Sequence, residues 1–226
     1  MNTPASKGWI LSARQALISA AERLFAERGI PAVSMREVAT AAGQGNTSAV
    51  RYHFGSRDGL VDAIFTYRMA RIDERRRAFL AARPDAHDDP RFLLEALVFP
   101  LAESIGHEDG ESWYARFLAQ VAFQPGFDSF SGARREVTRG LRVVVDGLRR
   151  RVEGLDPPLG DLRITRVMQV VIHGLAEHEA AMARGAAVLP TSALAADLVD
   201  GAAAVLAAPV SSLTLAELTR SRLKGA

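Results

Sequence analysis

The chain has 226 residues, of which 48% are apolar and 24% are charged, and it contains no cysteine. This composition is close to that of an average soluble protein, so it excludes a disordered tail, a fibrous repeat and a disulfide scaffold. Without cysteine, a zinc-thiolate site is impossible. The first ten residues hold one lysine and no sustained apolar run. This predicts that the chain has no signal peptide and is cytoplasmic.

The charge is unevenly divided along the chain. The net charge is +2, but residues 1–83 hold 13 Lys and Arg against 7 Asp and Glu, whereas residues 84–226 hold 15 against 19. A basic N-terminal part favours contact with a polyanion such as nucleic acid, although a surface of solvated arginines would also explain it. The longest stretch without charged side chains, 201–216, contains Pro209 and three hydroxyl residues, so we expect no membrane span there.

Apolar residues recur with helical spacing almost everywhere, which predicts an all-α fold. A first helix is predicted from about residue 12 to Arg28, because Gly29 stands where a helix commonly ends in a left-handed residue. A second helix is predicted to begin at Ser34, since Ser34 and Glu37 have the spacing of a capping box.

A glycine turn and a short polar helix follow. Gly43–Asn46 breaks the second helix, and residues 47–54 are predicted to form a third helix held to the core by Val50 and Phe54. Two short helices joined in this way are typical of a helix-turn-helix, in which the second helix enters the DNA major groove. The third helix concentrates hydrogen-bonding side chains, namely Thr47, Ser48, Arg51, Tyr52 and His53. This favours DNA binding over a surface hairpin of the same spacing.

The stretch from Arg14 to Phe65 resembles the DNA-binding domain of the tetracycline-repressor (TetR) family of bacterial transcriptional regulators. The matching motifs are AERLFAERG at 21–29, SMREVA at 34–39, Ala42-Gly43, and YHF then SR within 52–57. The resemblance implies an N-terminal arm and three-helix DNA-binding domain over 1–56, a bridging helix from 56 to about 82, and a C-terminal effector-binding and dimerisation domain over 57–226. It implies a ligand-responsive repressor rather than an enzyme, with no cofactor. Its partners would be a palindromic double-stranded DNA operator, an unidentified small-molecule effector and a second copy of the chain.

Residue by residue, the resemblance assigns the recognition helix to Thr47–His53 and phosphate contacts to Arg36 and Arg57. The predicted DNA contacts are therefore Arg36, Thr47, Ser48, Arg51, Tyr52, His53 and Arg57. Arg51 is suited to a bidentate contact with guanine. The turn holds one residue more than the common family pattern, and Arg51 stands where an aromatic residue is usual. The register of the base contacts therefore stays open.

After a break at Pro84–Pro90, helical spacing predicts further helices over residues 91–105, 111–123, 134–152, 161–183, 191–207 and 213–223. The arginines at positions 71, 75, 76 and 77 favour a solvated face on the bridging helix. The Ala-rich helices 163–183 and 191–207 are suited to a two-fold dimer, which matches a palindromic operator.

A group of residues in the second half is suited to an apolar effector pocket with a few polar contacts, and equally to an ordinary core. The group comprises Phe99, Trp113, Arg116, Phe117, Gln120, Phe123 and His173. Two other hypotheses remain. An all-α enzyme or metal-binding protein would use His173, Glu177 and His178, although three residues separate His173 from Glu177 where an inverted zinc-protease motif has two. The second of these hypotheses is a helical protein-interaction module.

Overall fold

A computed structural model describes residues 4–44, 48–105 and 112–225, with side chains described between 13 and 220 inside these ranges. All regular secondary structure in these ranges is helical and none is strand, which confirms the all-α prediction. The helices are α1 (Pro4–Arg28), α2 (Met35–Ala41), α3 (Ser48–Phe54), α4 (Arg57–Ala82), α5 (Pro90–Ala102), α6 (Tyr114–Val121), α7 (Arg139–Arg150), α8 (Pro157–Ala183), α9 (Thr191–Ala207) and α10 (Ser212–Gly225), with 3-10 turns at Ile30–Ala32, Pro84–Ala86 and Gly132–Val137.

Helices α1, α2 and α3 pack around one small core at the N-terminal end of α4. Their buried side chains include Leu17, Ala21, Phe25, Val38, Ala39 and Val50. Ala39 is small at the point where α2 and α3 approach each other, as the helix-turn-helix pattern requires. The predicted three-helix arrangement of the N-terminal part is therefore present.

Helix α2 has well-defined ends. The Ser34 Oγ accepts from the Glu37 backbone N–H at 3.2 Å, while the Glu37 carboxylate accepts from the Ser34 backbone N–H at 2.8 Å. This is the predicted capping box, and it satisfies donors that helix geometry leaves free. At the other end, Gly43 has φ +68° and the Gln44 N–H donates to the Ala39 carbonyl. That bond closes a Schellman-type end, which a residue with a Cβ would strain.

The first helix is longer than predicted. It begins at Pro4 rather than near residue 12. Proline is compatible with the first turn of a helix because its missing N–H would have no intrahelical acceptor there. Apart from Gly8, no residue between Pro4 and Ser12 is a strong helix breaker, so the helix extends back without interruption.

A buried ion pair joins α4 to α5 and α7. Arg76 is 1% exposed, and its guanidinium donates to the Asp73 carboxylate at 3.2 Å and to the Ala96 carbonyl at 3.0 Å. Asp73 also accepts from the backbone N–H groups of Gly140 and Leu141, both at 2.9 Å, at the start of α7. The prediction of a solvated arginine face on α4 is therefore wrong for Arg76.

The predicted helix over 134–152 is divided. A 3-10 turn ends at Val137, and α7 begins at Arg139. Thr138 separates them with φ −129° and ψ 24°, and its buried hydroxyl donates toward the carbonyls of Arg134 and Ser129. Asp73 then supplies acceptors for the first turn of α7, so the new helix start is satisfied by a tertiary contact that the local sequence does not reveal.

Helices α8 and α9 pack against each other, with α5 and α6 beside them. The Arg163 side chain on α8 is buried and donates to the carbonyls of Val205 and Ala208 at the end of α9, at 2.9 and 2.6 Å. Among the described residues, no single helix is long and apolar enough to cross a membrane, although α9 and the start of α10 pass such a test as a pair bent by 54°.

Candidate nucleic-acid interface and domain junction

Helix α3 presents polar side chains on a short, well-anchored segment. Only Val50 is buried among its seven residues, whereas Ser48 and Arg51 are exposed and the Tyr52 side chain is 78% exposed. His53 is half-buried, with its ring centroid 5.1 Å from that of Tyr52 in an edge-on arrangement. Thr47 lies outside the described residues. The structure therefore brings Ser48, Arg51, Tyr52 and His53 together on one helix, as predicted.

Helix α3 is anchored by contacts with α1 and α2. Val50 is inserted into the core formed by α1 and α2, and the Arg14 guanidinium of α1 lies 5.2 Å from the centre of the Phe54 ring. A cation over an aromatic face at this distance is favourable by about 0.5–1 kcal/mol at an exposed site. The helix is thus fixed by Val50 and Phe54, while its polar side chains stay accessible to solvent.

The two other predicted phosphate contacts differ in their surroundings. Arg36 is exposed on the first turn of α2. Arg57 is half-buried, and its Nη2 donates to the Val33 carbonyl at 2.9 Å. This bond holds the loop between α1 and α2 against the start of α4, a structural role that sequence reasoning did not identify. The remaining N–H donors of the guanidinium have no partner within the described ranges, so a phosphate contact is compatible with this position.

The capping box also lowers the pKa of the Glu37 carboxyl group. The Glu37 carboxylate accepts from both the backbone N–H and the hydroxyl of Ser34 and lies 2.7 Å from the Arg28 guanidinium. These hydrogen bonds and the Arg28 charge lower the pKa of Glu37 to about 2, with the Ser34 bonds as the main cause. Glu37 is therefore ionised at all ordinary pH values, and its carboxylate is used to cap the start of α2.

The same residues match a known family. Residues 17–64, which span α1 to the first half of α4, match the family model described as bacterial regulatory proteins, tetR family. Residues 17–64 therefore form a DNA-binding domain of the TetR type. The family resemblance predicted from the sequence is therefore confirmed, and the protein is a DNA-binding transcriptional regulator. No curated protein matches the chain in sequence.

Solved structures extend the likeness to the whole TetR fold. The chain is similar to a putative tetR family transcription regulator from Shewanella sp. PV-4, with a TM-score of 0.54 and 18% identity, over 84% of this chain and 97% of that one. It is also similar to the transcriptional regulator FadR from Bacillus subtilis, solved in complex with stearoyl-CoA, with a TM-score of 0.54 and 15% identity, over 87% and 99% of the two chains. At these identities the likeness shows the fold alone.

The predicted effector-pocket residues differ in how far they are buried. Phe117 is fully buried, Gln120 is exposed, and the Phe99 ring contacts Phe79 of α4 at a centroid distance of 6.1 Å. Trp113 is half-buried just before α6. Phe117 and Phe99 therefore pack in the hydrophobic core. A role in an ordinary core is the alternative that the sequence left open.

Two other members of the predicted group are engaged with α8. Arg116 is bonded to Glu179, and the half-buried Phe123 stacks on the exposed His173 ring with centroids 5.7 Å apart. Part of the predicted group therefore lies along the contact between α6 and α8.

Glu179 is an organising residue that sequence reasoning missed. Its buried carboxylate accepts from the backbone N–H groups of Ala115 and Arg116 at 3.2 and 3.0 Å and from the Arg116 Nε at 3.1 Å. It therefore stabilises the first turn of α6 from the neighbouring α8. The sequence signal was available, because Glu179 falls on the same helical face as the buried Ile172, Leu175 and Ala176.

A second buried carboxylate reaches the same turn from the DNA-binding domain. Glu22 of α1 is 1% exposed and accepts two hydrogen bonds from the Arg68 guanidinium of α4, at 2.7 and 3.0 Å. Burial raises the pKa of Glu22, and the charge of Glu179 adds to this effect against the opposing influence of Arg68 and the Trp113 backbone N–H. Helices α1, α4, α6 and α8 thus meet at one polar cluster.

Tyr114 lies inside this cluster. Its side chain is fully buried, and its hydroxyl has no hydrogen-bond partner among the described residues. Burial and the charge of Glu22 raise the pKa of Tyr114, so the hydroxyl stays protonated. We define the domain junction as Glu22, Arg68, Tyr114, Arg116 and Glu179.

The residues of the alternative metal or enzyme hypothesis do not converge. His173 stacks on Phe123, Glu177 is exposed, and the buried His178 shares a hydrogen bond of 3.0 Å with the Thr191 hydroxyl. In the described part of the chain, no group of three or more His, Cys, Asp or Glu side chains is arranged to hold a metal ion. His178 instead joins the start of α9 to α8.

Proposed function

We propose that this TetR-family regulator binds a palindromic operator as a dimer and releases it when a small-molecule effector binds. The observation that supports DNA binding by α3 is the set of exposed polar side chains, Ser48, Arg51 and Tyr52, on a helix anchored by Val50. Arg51 would contact a base edge, because a guanidinium matches the two acceptors of guanine in the major groove. Arg36, Thr47, His53 and Arg57 would position the phosphate backbone.

Dimerisation through α8 and α9 is supported by the Ala-rich character of both helices, since small side chains allow two helices to approach each other closely. Met182, near the end of α8, and Leu189, just before α9, are also more than one-third exposed. A two-fold pair would place two copies of α3 on two half-sites of the operator.

The domain junction provides a route for the effector signal. The first turn of α6 is bonded to Glu179 of α8 on one side and lies beside Glu22 of α1 on the other. An effector that shifts α6 or α8 in the C-terminal domain would therefore disturb the contact of α6 with α1. An effector with about 100-fold preference for the released state would supply about 2.7 kcal/mol of coupling free energy.

The effector pocket is proposed near α6 and α8, where Trp113, Phe117, Phe123 and His173 lie beside the charged Arg116. An apolar surface with few polar groups is suited to a largely apolar ligand. This proposal also predicts no enzymatic activity, because the regulator requires only differential binding of the effector by its two states.

The experiment that tests DNA binding is selection of bound sequences from random duplex DNA at near-physiological salt. We expect an enriched inverted repeat for the parent protein and a relaxed consensus at one position of each half-site for Arg51→Ala. Arg151→Ala is the matched control, since Arg151 is also exposed but lies after α7, in the other domain. A folded, dimeric protein that enriches no sequence would overturn the proposed function.

A further inference from the structure

An arginine-lined cleft lies on the outer surface of the C-terminal domain, where the 3-10 turn Gly132–Val137 leads into α7. It has a volume of about 480 Å³ and is lined by Arg135, Glu136, Arg139 and Arg142. We call these four residues the arginine cleft. The four side chains carry three positive charges and one negative charge, which leaves a local excess of +2.

The segment before the cleft is firmly held, so the cleft has a defined shape. The Phe127 ring packs edge-on against Phe65 of α4 at a centroid distance of 5.4 Å, and the Arg134 guanidinium covers Phe127 at 4.1 Å. Arg134 also donates to Asp62 of α4 at 2.9 Å. The backbone that carries Arg135 and Glu136 is therefore attached to α4 by aromatic and ionic contacts.

The arginines of the cleft differ in how far their charges are neutralised. Arg142 lies 5.1 Å over the Phe130 ring and donates to the Phe130 carbonyl at 3.2 Å, so its position is fixed without any carboxylate. Arg139 is paired with Glu136. Arg135 has no hydrogen bond or ion pair within the described part of the chain. Two of the three guanidinium charges are thus left without a counter-charge.

This arrangement is suited to a compact anion with two charges. Guanidinium groups form bidentate, charge-assisted hydrogen bonds with phosphate oxygens, and groups that are already positioned lose less entropy when they bind. A phosphate group carrying about two negative charges near neutral pH would balance the excess of +2. A neutral or cationic ligand would leave the same charges uncompensated.

The position of the cleft favours a small ligand over operator DNA. The turn before the cleft is attached to Asp62, and the start of α7 is attached to Asp73. At 1.5 Å per residue these positions lie about 7 Å and about 24 Å along α4 from Arg57, where α4 leaves the DNA-binding domain. The α7 end of the cleft, which carries Arg139 and Arg142, is therefore well separated along α4 from Arg57, whereas Arg135 lies nearer to it.

We propose that the arginine cleft binds a phosphate or diphosphate group of a small phosphorylated molecule. Arg135 and Arg142 supply the uncompensated charge, and Arg139 adds donors when its bond to Glu136 opens. This site is separate from α3 and from the proposed apolar effector pocket, so it does not depend on the proposed function.

Isothermal titration calorimetry of the full-length protein with inorganic pyrophosphate tests this proposal. We expect saturable binding that weakens about tenfold in Arg135→Gln and in Arg139→Gln, since each substitution removes charged donors to the phosphate oxygens. Both side chains are exposed, so neither substitution should unfold the chain. Arg151→Gln is the matched control and should bind pyrophosphate as the parent does.

Three results would overturn the proposal. Undetectable pyrophosphate binding, or equal binding by the parent and both cleft variants, would show that the cleft is not an anion site. The third is a fall in operator affinity in the cleft variants without any pyrophosphate binding, which would make the cleft a DNA phosphate contact. If the parent protein binds pyrophosphate but no operator DNA, only the proposed DNA-binding function is overturned.

Discussion

Helix α3 and the domain junction both concentrate polar side chains. Those of α3 are mostly exposed, whereas the carboxylates of the junction are buried. On α3, Arg51 and Tyr52 are exposed and no part of the described chain forms a hydrogen bond with the Arg51 guanidinium. At the junction, Glu22 and Glu179 are almost fully buried, and each accepts two or more hydrogen bonds.

The difference follows from the cost of removing polar groups from water. An exposed arginine is hydrated and loses nothing by lacking a protein partner, so it stays available for a ligand. A buried carboxylate without partners would cost several kcal/mol, so it must be bonded within the fold. Exposed unpartnered groups therefore remain available to a ligand, whereas buried partnered groups hold the helices that carry them together.

The largest effect is expected for Asp73→Ala in the buried ion pair beside the junction. The substitution leaves the buried Arg76 without its carboxylate and two α7 backbone N–H groups without an acceptor, so we expect a loss of about 3–5 kcal/mol in the free energy of unfolding. Chemical denaturation measures it. Arg77→Gln, which removes an exposed partner 3.7 Å from the same carboxylate, should change stability by less than about 0.5 kcal/mol. A small loss of unfolding free energy in Asp73→Ala would show that other groups compensate the buried charge of Arg76.

The second prediction concerns α3. Arg51→Ala should weaken binding to the selected operator by about 1–3 kcal/mol and leave the thermal midpoint of unfolding unchanged, because Arg51 has no hydrogen bond or ion pair within the described residues. Fluorescence anisotropy and a thermal melt measure the two effects. Arg57→Ala should instead weaken binding to all sequences and reduce the salt slope by about one. An unfolding midpoint lowered by Arg51→Ala would contradict the contrast between α3 and the junction.

A smaller effect is expected for Ser34→Ala at the start of α2. The substitution removes the side-chain acceptor for the Glu37 backbone N–H, and such caps contribute about 0.5–2 kcal/mol. Chemical denaturation again provides the measurement. Ser19→Ala is the control, because Ser19 is exposed in the interior of α1 and caps nothing; it should be neutral or slightly stabilising.

The smallest effect is the pH dependence of the same cap. The pKa of Glu37 is lowered in the folded state to about 2, mainly by its bonds to Ser34. Its stabilising contribution is therefore present above the unfolded pKa of 4.5 and is lost as the pH falls toward 2. The stability difference between the parent and Glu37→Gln should narrow over this range in denaturation curves. If the stability difference between the parent and Glu37→Gln does not change with pH, the negative charge of Glu37 does not contribute to the cap.

The N-terminal domain was predictable because its signals are local. The capping box at Ser34, the glycine turn at Gly43 and the apolar spacing of α2 each depend on residues a few positions apart. The α9 bounds, Thr191–Ala207, were also predicted, because Pro190 and the break before Pro209 delimit an uninterrupted apolar pattern.

The sequence by itself determined that the chain is all-α, that it carries a helix-turn-helix, and that the polar row on α3 belongs to a TetR-family DNA-binding domain. Only the tertiary structure decided that Arg76 is buried, that α7 starts at Arg139, and that Glu22 and Glu179 meet at one turn of α6. Helix starts and turns depend on neighbouring residues. The partners of a buried charge come from distant parts of the chain, and only folding brings them within hydrogen-bonding distance.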